Sequence, residues 1–323
     1  MTVLWKVLAH VALLIVCSLS VAHAEPYFAV REGLKCSNCH FNQAGGGMRN
    51  AFGNAWAQSA LPARRIEGTG TDTWTGTVNR FFALGGNLRA NAAYTDVPNN
   101  DAQSEFDLEE VRAYLAIMAV PDRLAVYVDQ RLAPGGSTNL EAFARYTTQD
   151  QRWHLQGGQF YLPYGWRLED DGAFVRQVTG INFATPDRGV QVGSESAMVS
   201  AQLAVSNGTA GGPEPDEGKQ VSLRAEHIQN AWRVGAGFNL NHTDAGDRQM
   251  QGVFAGLRTG PISWLAEADY VGSTNGIINW VANKQPEQVM MITDFGLARM
   301  EGDQGFMEGR IVGTPYFMAP EQI

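Results

Sequence analysis

No stretch of the sequence concentrates lysine and arginine, and the net charge is −9. Phosphate recognition needs a dense cationic surface, so a nucleic-acid partner is excluded. Cysteine is nearly absent, with Cys17, Cys36 and Cys39 the full set. Charged residues make up only 18 % of the chain while glycine reaches 36 of 323 positions, a balance that compact helical folds tolerate poorly. The apolar run Val11–Leu19 is too short to cross a bilayer as a helix.

What is present at the start is an export signal. Lys6 precedes that apolar run, and Ala22-His23-Ala24 supplies a small-x-small cleavage site before Glu25. Residues 1–24 are therefore expected to be removed, and Cys17 with them. The two remaining thiols stand in Cys36-Ser37-Asn38-Cys39-His40, which has the C-x-x-C-H form of c-type haem attachment. Two thiols three positions apart reach the two vinyl groups of one porphyrin, and the next residue, His40, is directed at the iron.

Two other chemistries use a C-x-x-C pair. A zinc site would need ligands from His154, His227 or His242, none of which stands beside a cysteine or another histidine. A redox dithiol normally accompanies a βαβ pattern, which is missing. Haem c is the expected cofactor, held by Cys36, Cys39 and His40 within a segment spanning residues 25–70. The second axial ligand is left open by the sequence: Met48 follows the Gly45-Gly46-Gly47 turn and is the nearest candidate, with His154, His227 or an open position as alternatives. The segment is too short to wrap a haem by itself and must lean on another part of the chain.

Beyond Trp74 the pattern changes to period-two alternation in runs of about ten residues separated by Gly, Pro, Asn and Asp, as expected for β-strands. In one run Trp232, Val234, Ala236, Phe238 and Leu240 share a face, while Arg233, Gly235, Gly237, Asn239 and Asn241 share the other. Turn signals such as Pro121-Asp122 and Thr259-Gly260-Pro261 predict antiparallel neighbours. Alternation alone fits a soluble sandwich with its apolar face inward or an outer-membrane barrel with its apolar face outward. Charges expected on the polar face, among them Arg112, Asp129, Arg131, Arg224, Glu226, Glu267 and Asp269, favour the barrel with its wet lumen. Residues 71–272 are thus expected to form a mainly β, antiparallel outer-membrane β-barrel, preceded by the short helical haem-binding segment.

Two resemblances bear on this reading. The stretch from Leu155 to Gly165, with Gly158-Gln159-Phe160-Tyr161-Leu162-Pro163-Tyr164-Gly165, followed by Asp187-Arg188-Gly189-Val190-Gln191-Val192, resembles the strand–loop–strand of phosphate-selective-porin-like outer-membrane proteins. That resemblance implies a large antiparallel barrel; phosphate selectivity is not carried over, because the basic filter residues cannot be placed in this sequence. The haem segment, from Cys36 to Gly53, resembles the single-haem N-terminus of fused cytochrome–porin proteins. It implies electron transfer across the outer membrane, with outer-membrane lipid around the barrel and a periplasmic or extracellular electron carrier, or ferrous iron, as partner. A plain porin with a structural haem plug is the rival of the same architecture.

The end of the chain has a different texture. Asp294-Phe295-Gly296 and Ala319-Pro320-Glu321 resemble the bounds of a Ser/Thr protein kinase activation segment. A kinase also needs a Gly-rich loop, a strand Lys paired with a helix Glu, and an H-R-D loop, and the sequence contains none of them. ATP-dependent phosphoryl transfer is therefore not expected. Residues 273–323 read as a chimeric or disordered tail that cuts the barrel short.

Overall fold

A computed structural model describes residues 26–60, 74–95, 103–168, 174–181, 185–244, 246–260, 262–273, 291–292 and 297–298. The expected export signal and nearly all of the kinase-like tail, Asp294 included, lie outside the described residues. Three short helices come first: α1 (Pro26–Glu32), α2 (Cys36–Cys39) and α3 (Ala51–Ala60). Six strands follow: β1 (Thr77–Asn79), β2 (Phe82–Thr95), β3 (Gln103–Val120), β4 (Leu124–Ala133), β5 (Thr138–Thr147) and β6 (Trp153–Phe160). Helix α4 (Phe174–Thr179) interrupts them before β7 (Asp187–Glu195), β8 (Val199–Ser206), β9 (Gln220–Ile228), β10 (Trp232–Thr243), β11 (Gly246–Thr259) and β12 (Ile262–Ser273).

The strands form one 12-stranded sheet in strict sequence order. Every neighbouring pair is antiparallel, as the turn signals require. No pairing joins β1 to β12 among the described residues. The fold is thus mainly β and antiparallel, with these twelve strands in one sheet and a separate two-residue pairing of Met291–Ile292 with Leu297–Ala298.

The sheet is inverted relative to a water-soluble one. On β10, Trp232 and Val234 are 44 % and 47 % exposed, whereas Arg233 and Asn239 between and beyond them are 2 % and 0 % exposed. Strand β6 repeats the pattern, with Leu155 exposed and Gln156 buried. The face that alternation marks as apolar therefore points outward, and the polar face is enclosed. Arg112, Asp129, Glu141, Arg224, Glu226, Glu267 and Asp269 are all buried on the inner face.

Curvature follows from what that inner face touches. A flat sheet of this many strands would be roughly 50 Å wide at about 4.8 Å per strand. Yet one short segment, residues 26–49, is reached from across the sheet. Tyr127 of β4 accepts a hydrogen bond from the Met48 amide at 3.0 Å, and Ser200 of β8 accepts one from Gln43 Nε2 at 3.0 Å. Arg145 of β5 donates to the Phe41 carbonyl, and Arg233 of β10 donates to the carbonyls of Ala29 and Leu34. The wall curls around this segment as around a plug, which is the support the segment was expected to need.

The plug enters at the end where the connections are short. Lys35 Nζ donates to the carbonyl of Ser196, in the turn between β7 and β8, and Arg258 donates to the carbonyl of Arg31 next to the turn between β11 and β12. The two longest connections, 161–186 and 207–219, leave from the opposite end. The first of them folds back inside. Tyr161, Leu162, Tyr164, Trp166 and Leu168 are buried, although they belong to a connection.

Polar wall residues hold this infolded segment. Ser222 donates to the Pro163 carbonyl at 3.0 Å, Arg224 Nε to the Gly165 carbonyl at 2.9 Å, and the Tyr164 hydroxyl to Asp269 at 2.8 Å. Gly165 has φ +49°, and a side chain there would lie 1.8 Å from Glu267 Oε1, so the close approach to the wall requires glycine.

Glu267 closes the assembly by accepting both Arg176 NH2 contacts, at 2.8 and 2.6 Å, and the Trp166 amide at 3.2 Å. Replacing one member of a buried pair strands the other charge, at a cost of about 3–5 kcal/mol. Glu267→Ala is expected to lower the unfolding free energy by that amount, read as a fall in the urea midpoint at unchanged slope. An unchanged midpoint would contradict the assignment.

Candidate haem-binding site

The C-x-x-C-H residues are held in one local unit. The Lys35 amide donates to Asn38 Oδ1 at 2.9 Å at the start of α2, and the His40 amide donates to the Cys36 carbonyl at 2.9 Å at its end. This single turn puts Cys36 and Cys39 on the same side, and the two sulfurs are not joined as a disulfide. After it the chain makes a small hairpin: His40 pairs with Arg49, and the Phe41 amide donates to the Met48 carbonyl at 2.9 Å. The reversal needs Gly45, Gly46 and Gly47, which all take positive φ (93°, 69° and 60°). Asn50 then clamps hairpin to turn, its side chain donating to the Asn38 carbonyl at 2.9 Å and its amide to that of Cys39 at 2.9 Å.

Helix α3 packs directly on this turn. A side chain at Gly53 would stand 2.1 Å from the Cys39 carbonyl oxygen, so only glycine allows the contact. On the wall side, Glu226 takes Arg224 at 3.2 Å and Arg233 at 3.7 Å, all three buried. Arg233 in turn fixes the carbonyls on either side of the bend leading into α2. The motif is thereby braced from both directions.

Between plug and infolded segment lies a small cleft that opens to solvent. Cys36, Cys39 and His40 all line it, together with Phe28, Trp56, Trp166, Lys35, Arg49 and Arg167. Phe28 and Trp56 meet edge to face at 5.4 Å between ring centres.

This lining fits a covalently attached haem on three counts. Both thiols and the imidazole reach one space, aromatic rings offer flat apolar walls, and guanidinium groups suit the acidic side chains of the porphyrin. The thiols add a fourth. Burial, and next the charge of Glu226, raise the Cys36 pKa, and burial followed by Cys36 raises that of Cys39. A thiolate is disfavoured there, whereas a thioether has no proton to lose and suits the same surroundings.

The other candidates from the sequence are placed elsewhere. Met48 is buried among Tyr114, Tyr127 and Phe143 of the wall, and its side chain lies beside Gly85 and Gly76. It does not line the cleft. His154 is buried at the inner face, 3.5 Å from Gln191, and His227 contacts Gln229 at 2.9 Å. Neither lines the cleft either.

Several residues that shape the site carry no sequence signature. Trp56 and Phe28 sit on helices too short for a periodic pattern to mark a face. Trp166 and Arg167 lie far along the chain and arrive only because their connection folds inward. Among the described residues no cluster of three or more His, Cys, Asp or Glu side chains forms a separate metal site. No protein-family model matches the chain, and a search of curated proteins also returns no match.

The thiol environment gives a pH-dependent expectation. In protein made without haem, alkylation needs the thiolate. With both pKa values raised, the rate should be low at neutral pH and still climbing above the ordinary thiol range, with Cys36 slower than Cys39. Mass-spectrometric labelling against pH measures this. A rate that levels off near pH 8 for Cys36 would contradict it.

Proposed function

We propose that this chain is an outer-membrane electron-transfer protein in which one c-type haem, attached through Cys36 and Cys39 with His40 as axial ligand, is seated inside a porin-like β-barrel. One observation carries the reading. The C-x-x-C-H turn lines a cleft with aromatic and guanidinium neighbours, inside a wall whose buried face is polar and whose exposed face is apolar. An apolar outer band suits lipid, and a charged interior suits a lumen. In water the same exposed Trp, Val and Leu side chains would form an extended apolar patch.

Orientation follows from the same physics. Barrels of the outer membrane keep short turns on the periplasmic side and long loops outside. The plug, and the haem cleft with it, therefore belongs to the periplasmic mouth. The opposite mouth carries Glu214 and Asp216 in the 207–219 connection, with Glu214 paired to Lys219, and Asp244 and Asp247 at the turn between β10 and β11, with Asp247 beside His242. That charge raises the local concentration of cations such as ferrous iron, the external donor that the cytochrome–porin resemblance suggests.

A bound haem supplies one-electron exchange between iron(II) and iron(III). The chain's residues would do the rest: Cys36 and Cys39 would hold the macrocycle and His40 the iron, with Phe28, Trp56 and Trp166 as apolar neighbours. A diffusion pore is the weaker reading. Asn42 of the plug and Arg167 of the infolded segment both bind Glu141 of the wall, so the two meet across the lumen.

Proteoliposomes test the proposal. With a redox dye enclosed, the intact protein should carry electrons from an external reductant to the dye, and Cys39→Ala should abolish the transfer while the variant still inserts. Transfer that persists in Cys39→Ala would defeat the proposal.

A further inference from the structure

We infer that Met198 and His227 form a binding site for a soft monovalent metal ion, copper(I), on the outer face of the sheet at its short-turn end. The inference is independent of the haem reading, and neither residue lines the cleft.

The backbone brings the pair together. Met198 ends the turn between β7 and β8, and its carbonyl accepts the Ile228 amide at 2.8 Å. Val199, the next residue, lies opposite His227 in the pairing of β8 with β9. Gln229 opens the turn between β9 and β10, where its amide donates to the Trp232 carbonyl at 2.8 Å. Alternation along β9 puts His227 on the outward face with Leu223, and Met198 is 49 % exposed.

The side chains converge on one atom. Gln229 Nε2 stands 3.2 Å from Met198 Sδ and 2.9 Å from His227 Nε2. A thioether accepts hydrogen bonds and never donates them, so the Gln229 group that faces it is the NH2 and not the carbonyl oxygen. The same NH2 faces His227 Nε2, which is then the unprotonated nitrogen of a neutral imidazole. A sulfur lone pair and a nitrogen lone pair thus point from two separate turns at a single position.

A cation at that position would meet two neutral donors. Thioether sulfur selects copper(I), imidazole suits copper as well, and hard ions such as magnesium and calcium prefer oxygen. Copper(I) is satisfied by two ligands in line. The contacts must shorten from hydrogen-bond to coordination length, and the unbranched Met198 side chain, with its three rotatable bonds, can supply the adjustment. Half-buried Gln229 gives up two hydrogen bonds that water can replace. Trp232, its ring centre 5.5 Å from that of His227, adds an indole face, which attracts cations. Ser196, two residues before Met198, accepts Lys35 Nζ of the plug, so the ion would sit beside an attachment of plug to wall.

The test uses the full chain in detergent, with any thiol not bound to haem first capped by iodoacetamide at alkaline pH. Under anaerobic conditions the protein competes with bicinchoninate for copper(I), and loss of the coloured chelate counts the ions withdrawn. The expected result is that the unaltered chain withdraws one equivalent more than Met198→Leu or His227→Gln. Gln229→Ala should keep that equivalent, since the amide is displaced and does not ligate. X-ray absorption of the loaded chain should show sulfur and imidazole in one ligand shell. Equal withdrawal by the unaltered chain and both ligand variants would overturn the inference, as would loss of the equivalent in Gln229→Ala. Zinc(II) held as tightly at the same residues would overturn the assignment to a soft ion. A chain that carries no haem gives the same answer here, so failure of this site and failure of the haem reading are distinguishable.

Discussion

The structure depends on the enclosure of charge. Glu141 on β5 is fully buried, and it accepts Asn42 Nδ2 of the plug at 2.7 Å, the Tyr161 amide at 3.3 Å and Arg167 of the infolded segment at 3.2 Å. An ionised carboxylate taken out of water without partners is prohibitively costly, so these donors are conditions for the wall's polar inner face. The same rule governs Glu226 with its two arginines and Glu267 with Arg176. Plug, wall and infolded segment are therefore mutually required: each provides the donors or acceptors that the others bury.

From this follows the placement of the cleft. The plug's own hydrogen bonds close the C-x-x-C-H turn, but its orientation is set by wall arginines that grasp backbone carbonyls on either side of that turn. A segment this short has too little apolar surface to form a core. It is ordered because a polar cavity receives it. Trp166 completes the cleft from the opposite direction, held by Glu267 through its amide and by Phe254 through its ring at 4.9 Å.

Much of this was legible in the sequence, and the limits have physical causes. Period-two alternation marked the strands: the run from Trp232 to Asn241 lies within β10. The motif at Cys36, Cys39 and His40 was legible because its chemistry is local. The direction of the apolar face was legible only through the charges grouped on the polar face, such as Arg224 and Glu226, since alternation itself is symmetric under inversion of the sheet. The infolded segment was invisible because Tyr161, Trp166 and Val175 are buried by tertiary placement within a connection, where no repeat marks them. Met48 was singled out by its nearness in sequence to His40; after the three-glycine reversal its side chain packs against the wall, beside Gly85 and the Tyr114–Tyr127 cluster.

The central claim is that the enclosed turn exists to carry one haem. Intact-mass measurement of the protein purified from a host with a cytochrome c maturation system tests it most directly. The account predicts a chain heavier by one haem, with the added mass absent when both Cys36 and Cys39 are replaced by alanine. A chain that carries only its polypeptide mass under those conditions would contradict it.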